Sequence, residues 1–199
     1  MPLDTKSDII ETIRYFNECS GTWSKNYASG GRMKNRIIEF LSVLQAKLRP
    51  GARVLDFACG TGNISSALHQ AGYEVTGVDI SPLMIERAAK AYKNISFLSL
   101  DTGAIPKLPF DNGAFNAVIA SSVFEYIPEP EGQFYEINRV LSADGLFLFT
   151  VPDPRHAVRR MEAQLIRMIR LLPFLNKILP GGFRKYIDYL RLSNSRGPL

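Results

Sequence analysis

The apolar positions change period near residue 50. Before it, Ile9, Ile10, Ile13 and Phe16 recur at helical spacing and predict a helix over 7–18, capped by Asp4 or Ser7. A second helix is expected over 32–48, stopped by Pro50-Gly51. Residues 19–31 between them read as a loop holding two aromatics, Trp23 and Tyr27. After residue 50, short apolar runs alternate with amphipathic segments. Strands are expected at 53–58, 74–80, 95–100, 115–121 and 146–151, and helices at 63–71, from Ser81-Pro82 onward, and at 130–141. Ser81 suits an N-cap, and Pro82 the first helical position, where a missing N–H costs nothing. The run at 115–121 is nearly all apolar, as a strand covered on both faces should be. Strands alternating with helices imply right-handed crossovers and an α/β architecture with a mostly parallel sheet.

Composition narrows the class. The chain has 199 residues, enough for one domain with a full core, so 1–199 is read as a single domain. Its parts are an N-terminal helical cap (1–49), a core (50–152) and a basic helical tail (153–199). With 46% hydrophobic and 22% charged residues, a disordered chain is excluded. Cys19 and Cys59 are far apart and make no disulfide framework, which fits a reducing compartment. No secretory leader and no run near the roughly 20 apolar residues of a membrane span is visible. A cytoplasmic location is expected. The net charge of +5 is uneven: residues 155–199 hold ten Lys/Arg against two acids, leaving −3 on residues 1–154. No basic patch interleaved with aromatics appears in the body, so nucleic acid is not an expected partner.

The chemistry concentrates in VLDFACGTGN, residues 54–63. Gly60-Thr61-Gly62-Asn63-Ile64-Ser65 supplies the first two glycines of the dinucleotide fingerprint and a serine at the third. By itself that is weak evidence for any cofactor. Asp56, at the end of the preceding strand, discriminates. A carboxylate there repels a pyrophosphate and favours a ligand presenting a cation or several N–H and O–H donors. S-adenosylmethionine, with a sulfonium, an ammonium, a ribose diol and no phosphate, is such a ligand.

The segment resembles motif I of the class I S-adenosylmethionine-dependent methyltransferases, in the small-molecule branch of ubiquinone and menaquinone biosynthesis. Ala58 stands where many members have glycine. VTGVDIS (75–81) is similar to the second family motif, and the later landmarks follow in order through LPFDNGAFNAVIASSVFEYI (108–127) and LSADGLFLFTVP (141–152). The resemblance implies a Rossmann-like, doubly wound sheet of order 3-2-1-4-5 and S-adenosyl-L-methionine as cofactor, with S-adenosyl-L-homocysteine as product. It also implies methyl transfer to a small-molecule acceptor, a metabolite or lipid-like compound.

The site residues it implies are Asp56, Ala58, Gly60 and Gly62 in the turn, and Asp79 on the ribose hydroxyls. Ile80 and Met84 give apolar contact to adenine and ribose. Asp101, with Thr102 beside it, faces the adenine amino group, and Ser121 lines the methionine side. FNECSGTWSKNYAS (16–29) resembles an N-terminal flap, so Trp23 and Tyr27 either close over the cofactor or pin a helix to the core. Relatives often show a histidine after strand four and this chain does not. Glu125, Tyr126 and His156 are therefore the candidates for a general base, which a hydroxyl acceptor of high pKa requires. No residue is assigned to a metal.

Two features stay open. The family's sixth and seventh strands are not legible in the 48 residues after Val151. Segments 157–172 and 183–192 mix bases with Leu, Met and aromatics; they read as a helix packed on the sheet, a substrate lid or a peripheral membrane contact. The rival to a catalyst is a non-catalytic S-adenosylmethionine-binding module. Oligomeric state is not encoded in any motif.

Overall fold

The computed structural model describes residues 5–28, 33–101, 107–127 and 130–151. The chain packs as two compact units, residues 1–121 with 129–150, and residues 122–128 with 151–199. Segments 157–172 and 183–192, the sixth and seventh strands, Thr102 and His156 all lie outside the described residues.

The first unit holds a five-stranded parallel sheet: β1 (Arg53–Phe57), β2 (Glu74–Asp79), β3 (Ser96–Ser99), β4 (Phe115–Ser121) and β5 (Leu141–Thr150). Its order is β3-β2-β1-β4-β5, as expected. The helices are α1 (Thr5–Cys19), α2 (Lys34–Lys47), α3 (Asn63–Gln70), α4 (Pro82–Ala91) and α5 (Glu131–Val140). Burial explains why β1 is central. Val54 faces Phe40 and Leu44 of α2 and Ile64 and Leu68 of α3, in a cluster that includes Val75 and Ile119. The alternate residues Leu55 and Val118 are fully buried as well, so both faces of the sheet are covered. Among the described residues, no helix is long and apolar enough to cross a membrane.

Most helix boundaries fall within two residues of expectation, and two local readings change. Ser7 is not a cap, because α1 is already helical at Thr5. Strand β5 begins at Leu141, not 146. Leu141 pairs with Phe115, but the next pair is Leu146 with Ala117, so Ser142–Gly145 bulge out of the ladder. A Cβ on Gly145 would stand 2.9 Å from the Ser142 carbonyl oxygen, so the tight bend needs glycine there.

Two polar anchors fix the loops around the strand ends. Ser81 caps α4, its hydroxyl accepting from the Met84 amide at 3.2 Å with Pro82 following. The same hydroxyl donates to Asn17 Oδ1 at 2.7 Å, which ties the end of α1 to the start of α4. Arg87 Nε adds a bond to Ser20 Oγ at 3.0 Å. On the other side, Arg139 of α5 grips residues 108–112. It donates to both carboxylate oxygens of Glu136 (2.9 and 2.7 Å), to the carbonyls of Phe110 (2.7 Å) and Leu108 (2.9 Å), and to Asn112 Oδ1 (3.0 Å).

Candidate cofactor site

The carboxyl ends of β1 and β2 meet a turn with unusual backbone. Ala58 (φ 61°), Gly60 (φ 55°) and Gly62 (φ 76°) are all left-handed, three residues in five. Gly62 then leads into α3, with the Ser66 amide bonded to its carbonyl at 2.8 Å. Space is restricted too: a Cβ on Gly62 would meet Phe97 Cζ at 2.8 Å, and one on Gly60 would meet Trp23 Nε1 at 3.0 Å. Ala58 has a Cβ in a conformation that costs an L-residue roughly 1–2 kcal/mol. That cost is the physical reason the position suits glycine.

Asp79 ends β2 and is only 8% exposed. Its Oδ2 accepts from the Gly60 amide and its Oδ1 from the Ser81 amide, each at 2.8 Å. The two bonds fix the carboxylate plane, and each oxygen keeps a lone pair for a ligand donor. Burial pushes its carboxyl above the ordinary range, while N–H groups of Ser81, Gly60 and Ile80 oppose that rise.

Asp56 lies deeper, at 1% exposure, where Ser65 Oγ of α3 donates to its Oδ2 at 2.5 Å. Burial raises its carboxyl to about 7, the Ser65 bond holds it down and the charge of Asp79 pushes it up. Sequence placed Asp56 beside the turn; the structure places it inside, braced from α3.

The 3₁₀ turn Trp23–Tyr27 lies over this region. The Trp23 indole packs on Gly60, with Phe16 edge-on to it at 5.5 Å. Ser24 Oγ donates to Thr61 Oγ1 at 3.0 Å, and Thr61 donates to Asn63 Oδ1 at 2.7 Å. Tyr27 is hydrogen-bonded to Ser121 at the end of β4. Burial pushes the Tyr27 hydroxyl up to about 12, the charge of Asp56 adds to that, and Arg36 opposes it. Arg36 Nη1 of α2 donates to Ser121 Oγ at 3.1 Å.

The structure thus brings together Asp56, Ala58, Gly60, Gly62, Asp79, Ser121, Trp23 and Tyr27. Ile80 is half-buried beside Asp79, whereas Met84 is 1% exposed and packs as core. Asp101 is exposed just after β3, next to Leu100, whose amide bonds the Asp79 carbonyl at 2.9 Å. Glu125 and Tyr126 belong to the second unit, in the 3₁₀ turn Phe124–Tyr126, where Glu125 is half-buried and Tyr126 buried. His69 is exposed on α3.

Sequence reasoning missed Arg36 and Ser65. Arg36 looked like one more solvated cation on a helix, and nothing in its spacing marks it. Ser65 carried a signal: a hydroxyl at the third fingerprint position, nine residues after Asp56.

Two buried carboxylates on one side and a guanidinium on the other suit a zwitterionic ligand with a diol. They do not suit a chain of phosphates. S-adenosylmethionine fits that donor set.

Comparison with known proteins agrees. Residues 55–149 match the model of a methyltransferase domain. The chain is 35% identical to the demethylmenaquinone methyltransferase of Chlorobaculum tepidum, over 73% of this chain and 59% of that protein. It is 28% identical to the ubiquinone biosynthesis O-methyltransferase of Xanthomonas campestris, over 72% and 59%. An S-adenosylmethionine-dependent methyltransferase from Mesorhizobium loti superposes with a TM-score of 0.50 at 28% identity, covering 57% of this chain and 53% of that one. The chain spans about three fifths of the length of these curated relatives. With the fold, the turn and the acidic strand ends in agreement, residues 55–149 are identified as a methyltransferase domain of the class I S-adenosylmethionine-dependent type.

Proposed function

We propose that this protein transfers a methyl group from S-adenosylmethionine to a small, largely apolar acceptor of the quinol or phenol type. The observation that carries the cofactor half is Asp79, held by the Gly60 and Ser81 amides with acceptor capacity left on both oxygens. A ribose diol presents two donors to it, and a buried acceptor left without them loses affinity sharply. Asp56 faces the methionine ammonium, and Arg36 at Ser121 faces its carboxylate. Ile80 gives adenine an apolar wall, and Asp101 with Thr102 accepts from its amino group.

The cofactor, when bound, supplies a methyl carbon activated by positive sulfur. The residues of this chain then have to align it and exclude water. Alignment alone can reach effective molarities of about 10⁵ M or more. Trp23 and Tyr27 cover the glycine turn from outside and keep water off it. For a hydroxyl acceptor, Glu125, Tyr126 and His156 are the candidates to take the proton. The acceptor class is supported by the relatives, two enzymes named for quinone biosynthesis.

The test is a methyl-transfer assay with S-adenosylmethionine and a panel of catechols, hydroquinones and prenylated quinols, read by mass. Gain of one methyl group on a panel member supports the reading. Cofactor binding with no transfer to any of them favours a non-catalytic binding module instead.

A further inference from the structure

Ser65 is completely buried, so its hydroxyl has no water to bond and must find a protein partner. It finds Asp56 Oδ2 at 2.5 Å, and the Ser65 backbone N–H bonds the same carboxylate. A glycine at this position of α3 would keep the backbone bond and lose the hydroxyl. The other groups facing Asp56 give it little help. Asp79 from β2 is negative and repels it. Tyr27 from the 3₁₀ turn and Cys59 in the glycine turn are both held protonated by burial. The Arg36 guanidinium from α2 is directed to Ser121 on β4.

We infer that Ser65 is a positioning residue for the cofactor: its hydroxyl keeps the buried Asp56 carboxylate charged and aimed at the ligand's ammonium. The inference rests on the proposed use of this site for S-adenosylmethionine. Hydrogen bonding to the ionised form lowers a carboxyl pKa, and here it works against burial and a like charge. Without the hydroxyl, Asp56 takes up a proton at a higher pH and the ammonium loses its counter-charge. Affinity should then become pH-dependent across the neutral range.

The experiment titrates S-adenosylhomocysteine, which retains the ammonium, into wild type, Ser65→Ala, Ser65→Thr and Asp56→Asn between pH 6 and 9. Wild-type affinity should fall as pH drops through about 7. In Ser65→Ala the fall should begin about one pH unit higher, giving roughly fivefold weaker binding at pH 7 and convergence with wild type near pH 9. Ser65→Thr should restore the wild-type profile, and Asp56→Asn should be weak and flat. A Ser65→Ala profile that superimposes on wild type, or is displaced by a constant factor at every pH, overturns the inference and leaves Ser65 a packing residue.

Melting without ligand gives an independent readout, with Ser65→Cys (similar volume, a weaker donor) added in case Ser65→Ala does not fold. The pH at which stability levels off should move up in Ser65→Ala or Ser65→Cys. An unmoved midpoint overturns the inference even if cofactor binds. A moved midpoint with no binding by wild type overturns the proposed function, and the cofactor role of Ser65 with it.

Discussion

The Gly60 amide donates to Asp79 Oδ2 at 2.8 Å across 19 residues of sequence, so the glycine turn and the acid after β2 are one unit. A second bond, from the Ser81 amide, completes it. Removing the carboxylate therefore has two effects. Asp79→Ala should abolish S-adenosylhomocysteine binding in calorimetry. It should also cost about 1–3 kcal/mol of stability, because two backbone donors lose their partner. Asp79→Asn keeps one of the two acceptors and should lose less stability than Asp79→Ala, while still binding at least about 100-fold more weakly. An Asn variant with wild-type affinity would remove Asp79 from the cofactor.

Asp56 makes the free protein's stability depend on pH in a defined direction. Its carboxyl in the fold, at about 7, lies above its ordinary value of 3.8. The native state therefore holds a proton that the unfolded chain has released, and stability falls as pH rises from about 4 through 7. Asp56→Asn should flatten that slope and be the more stable protein at pH 8, by on the order of 2–4 kcal/mol. The same variant should bind cofactor poorly. Parallel pH–stability curves for the two proteins would show that Asp56 is not the titrating group.

Ala58 sits at φ 61°. Ala58→Gly should relieve that conformation and stabilise the protein by about 1 kcal/mol, less a few tenths for the greater freedom of the unfolded chain. Chemical denaturation measures it. Loss of stability on introducing glycine would mean that the alanine methyl has a packing role that outweighs the strain.

Arg139 makes five hydrogen bonds at once, among them the salt bridge to Glu136 at 2.7 Å. Arg139→Ala removes the Phe110 carbonyl's partner and takes donors from the Leu108 carbonyl and the Glu136 carboxylate, which keep only the Phe110 and Leu108 N–H groups respectively. The expected loss is about 2–3 kcal/mol, with Arg139→Lys recovering little of it, because an ammonium cannot reproduce the planar fork. The Glu136 carboxyl is held below the ordinary range by the Arg139 bond. Its contribution is present above the ordinary value and is lost as pH falls through the lowered one. Acid unfolding should begin at higher pH in Arg139→Ala than in wild type.

How much of this was legible in the sequence follows from what kind of signal each feature leaves. The parallel α/β sheet was legible in strands alternating with helices and in a near-continuous apolar run at β4, whereas its order 3-2-1-4-5 was implied by the family resemblance. Asp79 and the glycines came from motifs, because a left-handed turn restricts residue type. Ser65, Asn17 and Arg36 were not legible as bracing groups. A side chain that braces another from a different element carries its meaning in distance, and Asn17 reaches Ser81 across 64 residues. Met84 shows the same for burial, since its spacing in the motif does not report that its side chain is 1% exposed.

The most direct measurement is a thermal-unfolding shift with S-adenosylhomocysteine beside NAD. A ligand at 100 times its dissociation constant adds about 2.7 kcal/mol, on the order of 5–10 °C for a domain of this size. The account predicts that shift with S-adenosylhomocysteine and none with NAD. A shift with NAD alone, or with neither, would contradict it.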